Sequence, residues 1–254
     1  MPTVDVRTLV VIPTYNELAT LERAVKGVLG ACDDIDVLVV DDASPDGTGE
    51  LADGLAQADP HVHVLHRPAK SGLGSAYREG FAWGLERDAQ LLCEMDADLS
   101  HDPADLPRLL HAVRGADLVI GSRYVHQGRV LDWPAWRRAL SRCGNAYVRS
   151  MTGIPVKDAT AGFRVYRRAV LEGLDLGAVA SEGYSFQLEM ALRAWRLGFR
   201  IVEVPITFTE RREGASKISR AIVAEALWRV LLWGLTGPRT PRPAHRRSVA
   251  AQER

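Results

Sequence analysis

A chain of 254 residues with a 46% hydrophobic and 25% charged composition has enough apolar material for a full core, as one large α/β domain or one domain with an appendage. Its 32 basic and 32 acidic residues cancel, so no global field favours nucleic acid or an anionic membrane. The three cysteines (Cys32, Cys93 and Cys143) are odd in number and far apart, a spacing that suggests neither a disulfide framework nor a zinc site and makes a reducing cytosol the expected compartment.

The first elements alternate. Leu9-Val10-Val11-Ile12 predicts a strand over 8–13 that runs into Pro13-Thr14-Tyr15-Asn16-Glu17. No cationic apolar leader precedes it. Leu18, Leu21, Val25, Val28 and Leu29 then recur at helical spacing, predicting a helix over 17–30. Asp36-Val37-Leu38-Val39-Val40 is a second apolar run, closing on Asp41-Asp42-Ala43-Ser44-Pro45-Asp46-Gly47. A helix through Leu51 and Leu55 to Ala58 follows, then an alternating strand over 62–66. The turn Lys70-Ser71-Gly72-Leu73-Gly74 opens a helix over 75–87, its glycines suiting a tight turn.

Next comes the most informative run, Leu91-Leu92-Cys93-Glu94-Met95-Asp96-Ala97-Asp98. A buried strand ending here delivers two carboxylates, at i and i+2, to the rim of a sheet. There they can share one hard divalent cation and leave coordination positions for phosphate oxygens. Pro103 suits the first turn of a helix over 103–113, and Asp117-Leu118-Val119-Ile120 is a fourth apolar run, ending in Gly121-Ser122-Arg123-Tyr124. Four strands thus end in polar groups, the edge at which ligands gather in an open α/β sheet.

The second half is less regular. Its expected elements are a helix over 135–151, a strand over 162–166, a helix over 184–197 and a strand over 200–208. The strand leads into the basic loop Arg211-Arg212-Glu213-Gly214-Ala215-Ser216-Lys217. Segment 219–236 is helical, with Ile222, Val223, Ala226, Leu227, Val230 and Leu231 on one stripe. Glu225 and Arg229 interrupt it, so its apolar run falls short of the ~20 residues of a spanning helix. Trp228 and Trp233 suit a helix lying in a membrane interface, and packing on the domain core is the other reading.

Three motifs, Val11 to Glu17, Val39 to Thr48 and Met95 to His101, resemble the family 2 glycosyltransferases. Gly121-Ser122-Arg123-Tyr124, Asp158 to Arg164, Glu182 to Gln187, Glu203-Val204-Pro205-Ile206 and Phe208 to Lys217 narrow the resemblance to polyprenyl-phosphate (dolichyl-phosphate) mannose synthases. It covers roughly 8–236. The implied fold class is α/β, a GT-A (Rossmann-like) mixed, mainly parallel sheet flanked by helices, with a C-terminal amphipathic helix. The expected division is a catalytic domain over 1–218, an interfacial helix over 219–237 and a disordered basic tail over 238–254.

The resemblance implies inverting transfer of mannose from GDP-mannose to a polyprenyl monophosphate. Pro13, Tyr15, Glu17, Val40 and Asp42 would form the guanosine pocket, and Lys70 would support the nucleotide or remain a surface lysine. Asp96 and Asp98, with Ala97 between them, would hold Mg²⁺ or Mn²⁺ at the diphosphate. Ser100 stands where some relatives have a ligating glutamine, so its contact would be direct or through water. Asp98, Arg123, Arg211 and Lys217 are the expected catalytic residues; the three cations hold the phosphates together, and Arg137 is a further candidate. Gln187 and Glu189 could meet the sugar or serve packing, and His61, His63 and His66 read as surface. The implied setting is peripheral, at the cytosolic face of the membrane, with a separate membrane-spanning subunit as one arrangement and no nucleic acid. The rival readings are a UDP-glucose-dependent polyprenyl-phosphate glucosyltransferase and a non-catalytic subunit that binds nucleotide sugars.

Overall fold

In the computed structural model, which describes residues 7–179, 181–210 and 220–237, the aliphatic runs become β1 (Thr8–Thr14), β2 (Ile35–Asp41), β3 (Val62–His66) and β4 (Leu91–Glu94). They pair in parallel, with Val10 opposite both Val37 and Cys93. Helices cover both faces, so Val10, Val11, Ile12 and the run Val37 to Val40 have no exposure and no need to alternate with polar residues. The crossovers are α1 (Leu21–Ala31), α2 (Thr48–Ala58) and α3 (Leu73–Glu86). α3 lies unusually close to the sheet because it carries glycines there. A Cβ at Gly80 would come within 2.5 Å of Val11, and one at Gly84 within 2.6 Å of Leu9.

The chain continues through α4 (Leu106–Ala112), β5 (Leu118–Ser122), β6 (Arg129–Val130), α5 (Ala135–Thr152), β7 (Arg164–Arg167), α6 (Arg168–Gly173), α7 (Tyr184–Arg196), β8 (Ile201–Pro205), β9 (Thr207–Phe208) and α8 (Arg220–Thr236). The main sheet has the order β3-β2-β1-β4-β7-β5-β8, and β6 pairs with β9 in a second, two-stranded sheet. Among the described strands only β7 runs antiparallel in the main sheet, inserted between β4 and β5. The sheet is therefore mixed and mostly parallel, flanked by helices. One apolar layer joins Val11, Leu38, Tyr77, Phe81 and Leu92 to α6 and α7, and the other joins Val10, Ile12 and Val39 to α1 and α4. Each such side chain stabilises the fold by roughly 1.5–3 kcal/mol.

Three boundaries differ from expectation. The helix expected from residue 17 begins at Leu21, because Asn16 turns the chain at φ 61° and the Glu17 N–H donates to Thr48 Oγ1 instead of starting a helix. The helix expected over 103–113 opens as a tight turn, Pro103–Asp105, with the Asp102 side chain accepting from Ala104 N. The strand expected over 200–208 breaks at Ile206, whose N–H donates to Ser122 O while its own carbonyl accepts from Arg129 N. Beyond that break the chain leaves β5 and pairs with β6.

α8 packs on the rest of the fold. Tyr147 OH donates to Leu227 O, Arg196 donates to Trp233 O, and Gly234 sits against the Met151 backbone. Val230 is buried and Arg229 turns inward to Ser181 Oγ, whereas Leu227, Trp228, Leu232 and Leu235 are exposed. No described helix is long and apolar enough to cross a membrane. The segment 238–254 lies outside the described residues.

Candidate active site

β2 and β3 lie to one side of β1 and β4 to the other, so a crevice opens at the carboxyl ends of β1 and β4, where the strand order reverses. The loops leaving β1, β2 and β4 each hold a non-glycine residue in left-handed backbone conformation: Asn16, Ala43 and Leu99, at φ 61°, 54° and 60°. Such conformations persist where surrounding contacts over-determine them. Here Ser44 accepts from Asn16 N, Asp41 accepts from Ser44 N and Oγ, and Asp98 Oδ1 accepts from Ser100 N.

On the β1–β2 side, Tyr15, Asp42 and Lys70 come together. The Lys70 ammonium stands 3.7 Å from the centroid of the Tyr15 ring. Asp42 is buried, forms an ion pair with Arg67 and accepts from Ser71 N at 3.3 Å. Arg67 also reaches Ser75 and Glu79, so one buried guanidinium braces the loop around Lys70. Pro13 and Glu17 are partly exposed at the same rim. The Val40 side chain is fully buried and faces Gly80 of α3. The Ala97 side chain is likewise buried in the core, leaving only its main chain for binding.

The acid pair lies just past β4. Asp96 Oδ1 accepts from Tyr77 OH at 3.3 Å, and the Asp96 N–H donates to His101 Nδ1 at 3.3 Å. Burial, with Asp96 and Glu94 nearby, pushes the Tyr77 phenol well up, so it stays a donor. Ser100 Oγ is buried with no hydrogen-bond partner among the described residues. Two carboxylates and an uncommitted hydroxyl are hard oxygen donors, the set that suits Mg²⁺ or Mn²⁺. No larger cluster of His, Cys, Asp and Glu that could hold a metal occurs among the described residues. Beneath the pair, Glu94 is fully buried. Burial raises its carboxyl to about 7, against the lowering pull of Arg164, Gln187 and Tyr166.

Across the site, Arg123 is also buried. Its Nε and Nη2 clasp Asp158 at 2.8 and 2.7 Å, and Nη2 reaches Thr160 Oγ1 at 2.9 Å. Arg123, expected as a cation that holds phosphate, is thus clasped by Asp158 in a buried ion pair. Glu203 holds the opposite side of that loop by accepting from Lys157 N and Asp158 N at 2.8 and 2.9 Å. The stretch 158–163 then carries the chain from Arg123 to the acid pair, where a Cβ on Gly162 would stand 3.6 Å from Asp96 Oδ2. Arg137 pairs with Glu210 and lies over the Trp133 ring. The Thr209 N–H donates to Ser100 O, which brings the approach to the basic loop beside the acids. Arg211 and Lys217 themselves lie outside the described residues.

Glu189 and the three histidines have their partners elsewhere. Glu189 accepts from Ser181 N and Arg193, a packing role. His61 and His63 share Asp36, and His66 pairs with Asp53. Arg67, Tyr77 and Asp158 were not foreseen as site residues. Arg67 follows β3 as directly as Asp42 follows β2, a positional signal that could have found it. Tyr77 sits inside a helix and gives none.

The family model described as Glycosyl transferase family 2 matches residues 9–175. The chain is 56% identical over 229 residues, 90% of it and 94% of the relative, to an undecaprenyl-phosphate mannosyltransferase of Micrococcus luteus. It is 57% identical over 234 residues, 91% of it and 88% of the relative, to a polyprenol monophosphomannose synthase of Mycolicibacterium smegmatis. Among solved structures, a glucosyl-3-phosphoglycerate synthase from Mycobacterium tuberculosis, in complex with Mn²⁺, UDP and phosphoglyceric acid, superimposes with a TM-score of 0.66 at 21% identity, covering 91% of this chain and 79% of the other. A mannosyltransferase from Pyrobaculum calidifontis, in complex with GDP-Man and Mn²⁺, gives 0.54 at 17% identity, covering 90% and 73%.

Proposed function

The chain belongs to glycosyl transferase family 2, and from that premise we propose that it transfers mannose from GDP-mannose to a polyprenyl monophosphate, with inversion at the anomeric carbon. The observation that carries this reading is the stretch 158–163, which couples an acid pair suited to a metal-bound diphosphate to an arginine-lined wall suited to a second phosphate. The names of the two relatives supply the sugar and the lipid.

Tyr15, Glu17, Asp42 and Lys70 bind the nucleotide, with Arg67 holding Asp42 and the Lys70 loop in place. Asp96 and Asp98 would hold the divalent ion, with Ser100 in contact directly or through water, and Tyr77 fixes one Asp96 oxygen. When bound, Mg²⁺ or Mn²⁺ offsets the charge that builds on the GDP leaving group. The acceptor is a phosphate monoester with a second pKa of about 6, so it is anionic near neutral pH and attacks without a carboxylate base. One of its oxygens forms the new bond to the anomeric carbon as the bond to GDP breaks. Arg211, Lys217 and Arg137 hold the acceptor phosphate, and the Arg123–Asp158 pair forms the fixed wall against which it lies. The protein works as a peripheral enzyme at the cytosolic membrane face, and a separate membrane-spanning subunit is the arrangement to test by co-fractionation.

The test is transfer of labelled sugar from GDP-mannose, with UDP-glucose in parallel, to a short polyprenyl phosphate, with and without Mn²⁺. Metal-dependent lipid-linked mannose is the expected product. Glucose transfer would overturn the donor, and no transfer from either donor would favour a binding subunit.

A further inference from the structure

β4 ends at Glu94, and the main chain changes partners in the two residues that follow. The Met95 N–H still donates to Val11 O of β1, whereas the Asp96 N–H donates to His101 Nδ1 at 3.3 Å. A buried main-chain donor that leaves a sheet needs another acceptor, and stranding it costs about 1–3 kcal/mol. The chain itself brings that acceptor back. Leu99 reverses the backbone at φ 60° and the Ser100 N–H donates to Asp98 Oδ1, so His101 returns beside the acid it follows.

The imidazole is held in place. It is 2% exposed and stacks on Phe163 with ring centroids 5.2 Å apart, while Phe208 meets it edge-on at 5.7 Å. The backbone of His101 pairs with that of Phe208, and the Thr209 N–H donates to Ser100 O. At Gly162 an added Cβ would stand 3.4 Å from His101 Cε1 and 3.6 Å from Asp96 Oδ2, so ring and carboxylate border the same space. An accepting Nδ1 carries no proton, and it cannot swing away without breaking the ring contacts. Asp96 is thereby fixed at two points, its main chain by His101 and its Oδ1 by Tyr77 OH.

We propose that His101 is a positioning residue for the divalent cation: by accepting the Asp96 N–H it sets the direction from which that carboxylate meets the metal. It acts through Asp96 and is not itself a ligand. The role rests on the proposed metal-dependent transfer. Groups that orient a ligating carboxylate in this way are worth about 10–100-fold in metal affinity.

The experiment is titration of the full chain with Mn²⁺ in the presence of GDP, with free Mn²⁺ read by electron paramagnetic resonance. His101→Phe keeps an aromatic ring against Phe163 and Phe208 but offers no acceptor, and is expected to weaken Mn²⁺ binding about tenfold. His101→Asn loses the ring but carries an oxygen at the same bond separation as Nδ1. It is expected to stay within about threefold of wild type. A purely structural role gives the reverse order, because Asn removes more of the packing than Phe does. Melting curves verify folding, and His101→Leu takes the place of the Phe variant if that one does not fold. Wild-type affinity in the Phe variant, or an equal loss in both variants, overturns the role of His101. Failure of wild type to bind Mn²⁺ would instead overturn the metal reading of the acid pair, and this role with it, so the two failures are distinguishable.

Discussion

The two sides of the crevice solve opposite electrostatic problems. The side formed by β1, β2 and β4 gathers carboxylates at strand ends: Asp41, Asp42, Asp96 and Asp98. It braces them with neutral donors such as Thr14, Ser44 and Tyr77 and with a single buried arginine, Arg67. The side formed by β5, β6 and α5 gathers arginines and neutralises only some of them, Arg123 with Asp158 and Arg137 with Glu210. A net charge of zero therefore conceals an acid rim beside an arginine flank. The difference suits a reaction in which one phosphate group reaches the protein with a cation and the other must be met by the protein's own charges.

Replacing Asp98 with Asn should break the acid side first. Mannosyl transfer should fall about 100-fold or more, because metal-borne charge stabilisation is worth several kcal/mol, while the melting temperature stays unchanged. On the opposite side the loss should appear in stability. Asp158→Ala strands a buried guanidinium and should cost about 3–5 kcal/mol by denaturant unfolding, whereas the double change R123M/D158L should recover most of that stability without recovering activity.

The titration of Glu94 sharpens the comparison from beneath the acids. Its folded carboxyl is raised from 4.5 to about 7, so its contribution is fully present below pH 4.5 and is lost as pH rises through about 7. Unfolding of the metal-free protein should thus show Glu94→Gln gaining on wild type between those values, by a few kcal/mol at most. Disturbing the brace through Asp42→Asn should raise KM for the donor about tenfold with little change in kcat, since that pair shapes binding more than chemistry. The smallest effect expected is from Lys70→Met, about a twofold to fivefold rise in donor KM, the scale of one exposed cation–π contact.

The amino-acid sequence by itself determined the elements of the first half and the residues at their ends. β1, β2, β4 and β5 are continuous aliphatic runs because both faces of a mostly parallel sheet are covered, and a run that stops on carboxylates or arginine marks its own carboxyl edge. Asp96, Asp98, Asp42 and Arg123 were legible for that reason. Tertiary structure alone decided which partner each charge meets. That Asp158 would neutralise Arg123, that Arg67 would hold Asp42 and that Tyr77 would reach Asp96 depends on contacts across 35, 25 and 19 residues of chain, which no local pattern encodes. The break at Ile206 and the inward turn of Arg229 depend in the same way on what lies opposite, β6 for one and Ser181 for the other. Periodicity reports which side of a segment is apolar, and only packing reports what that side will face.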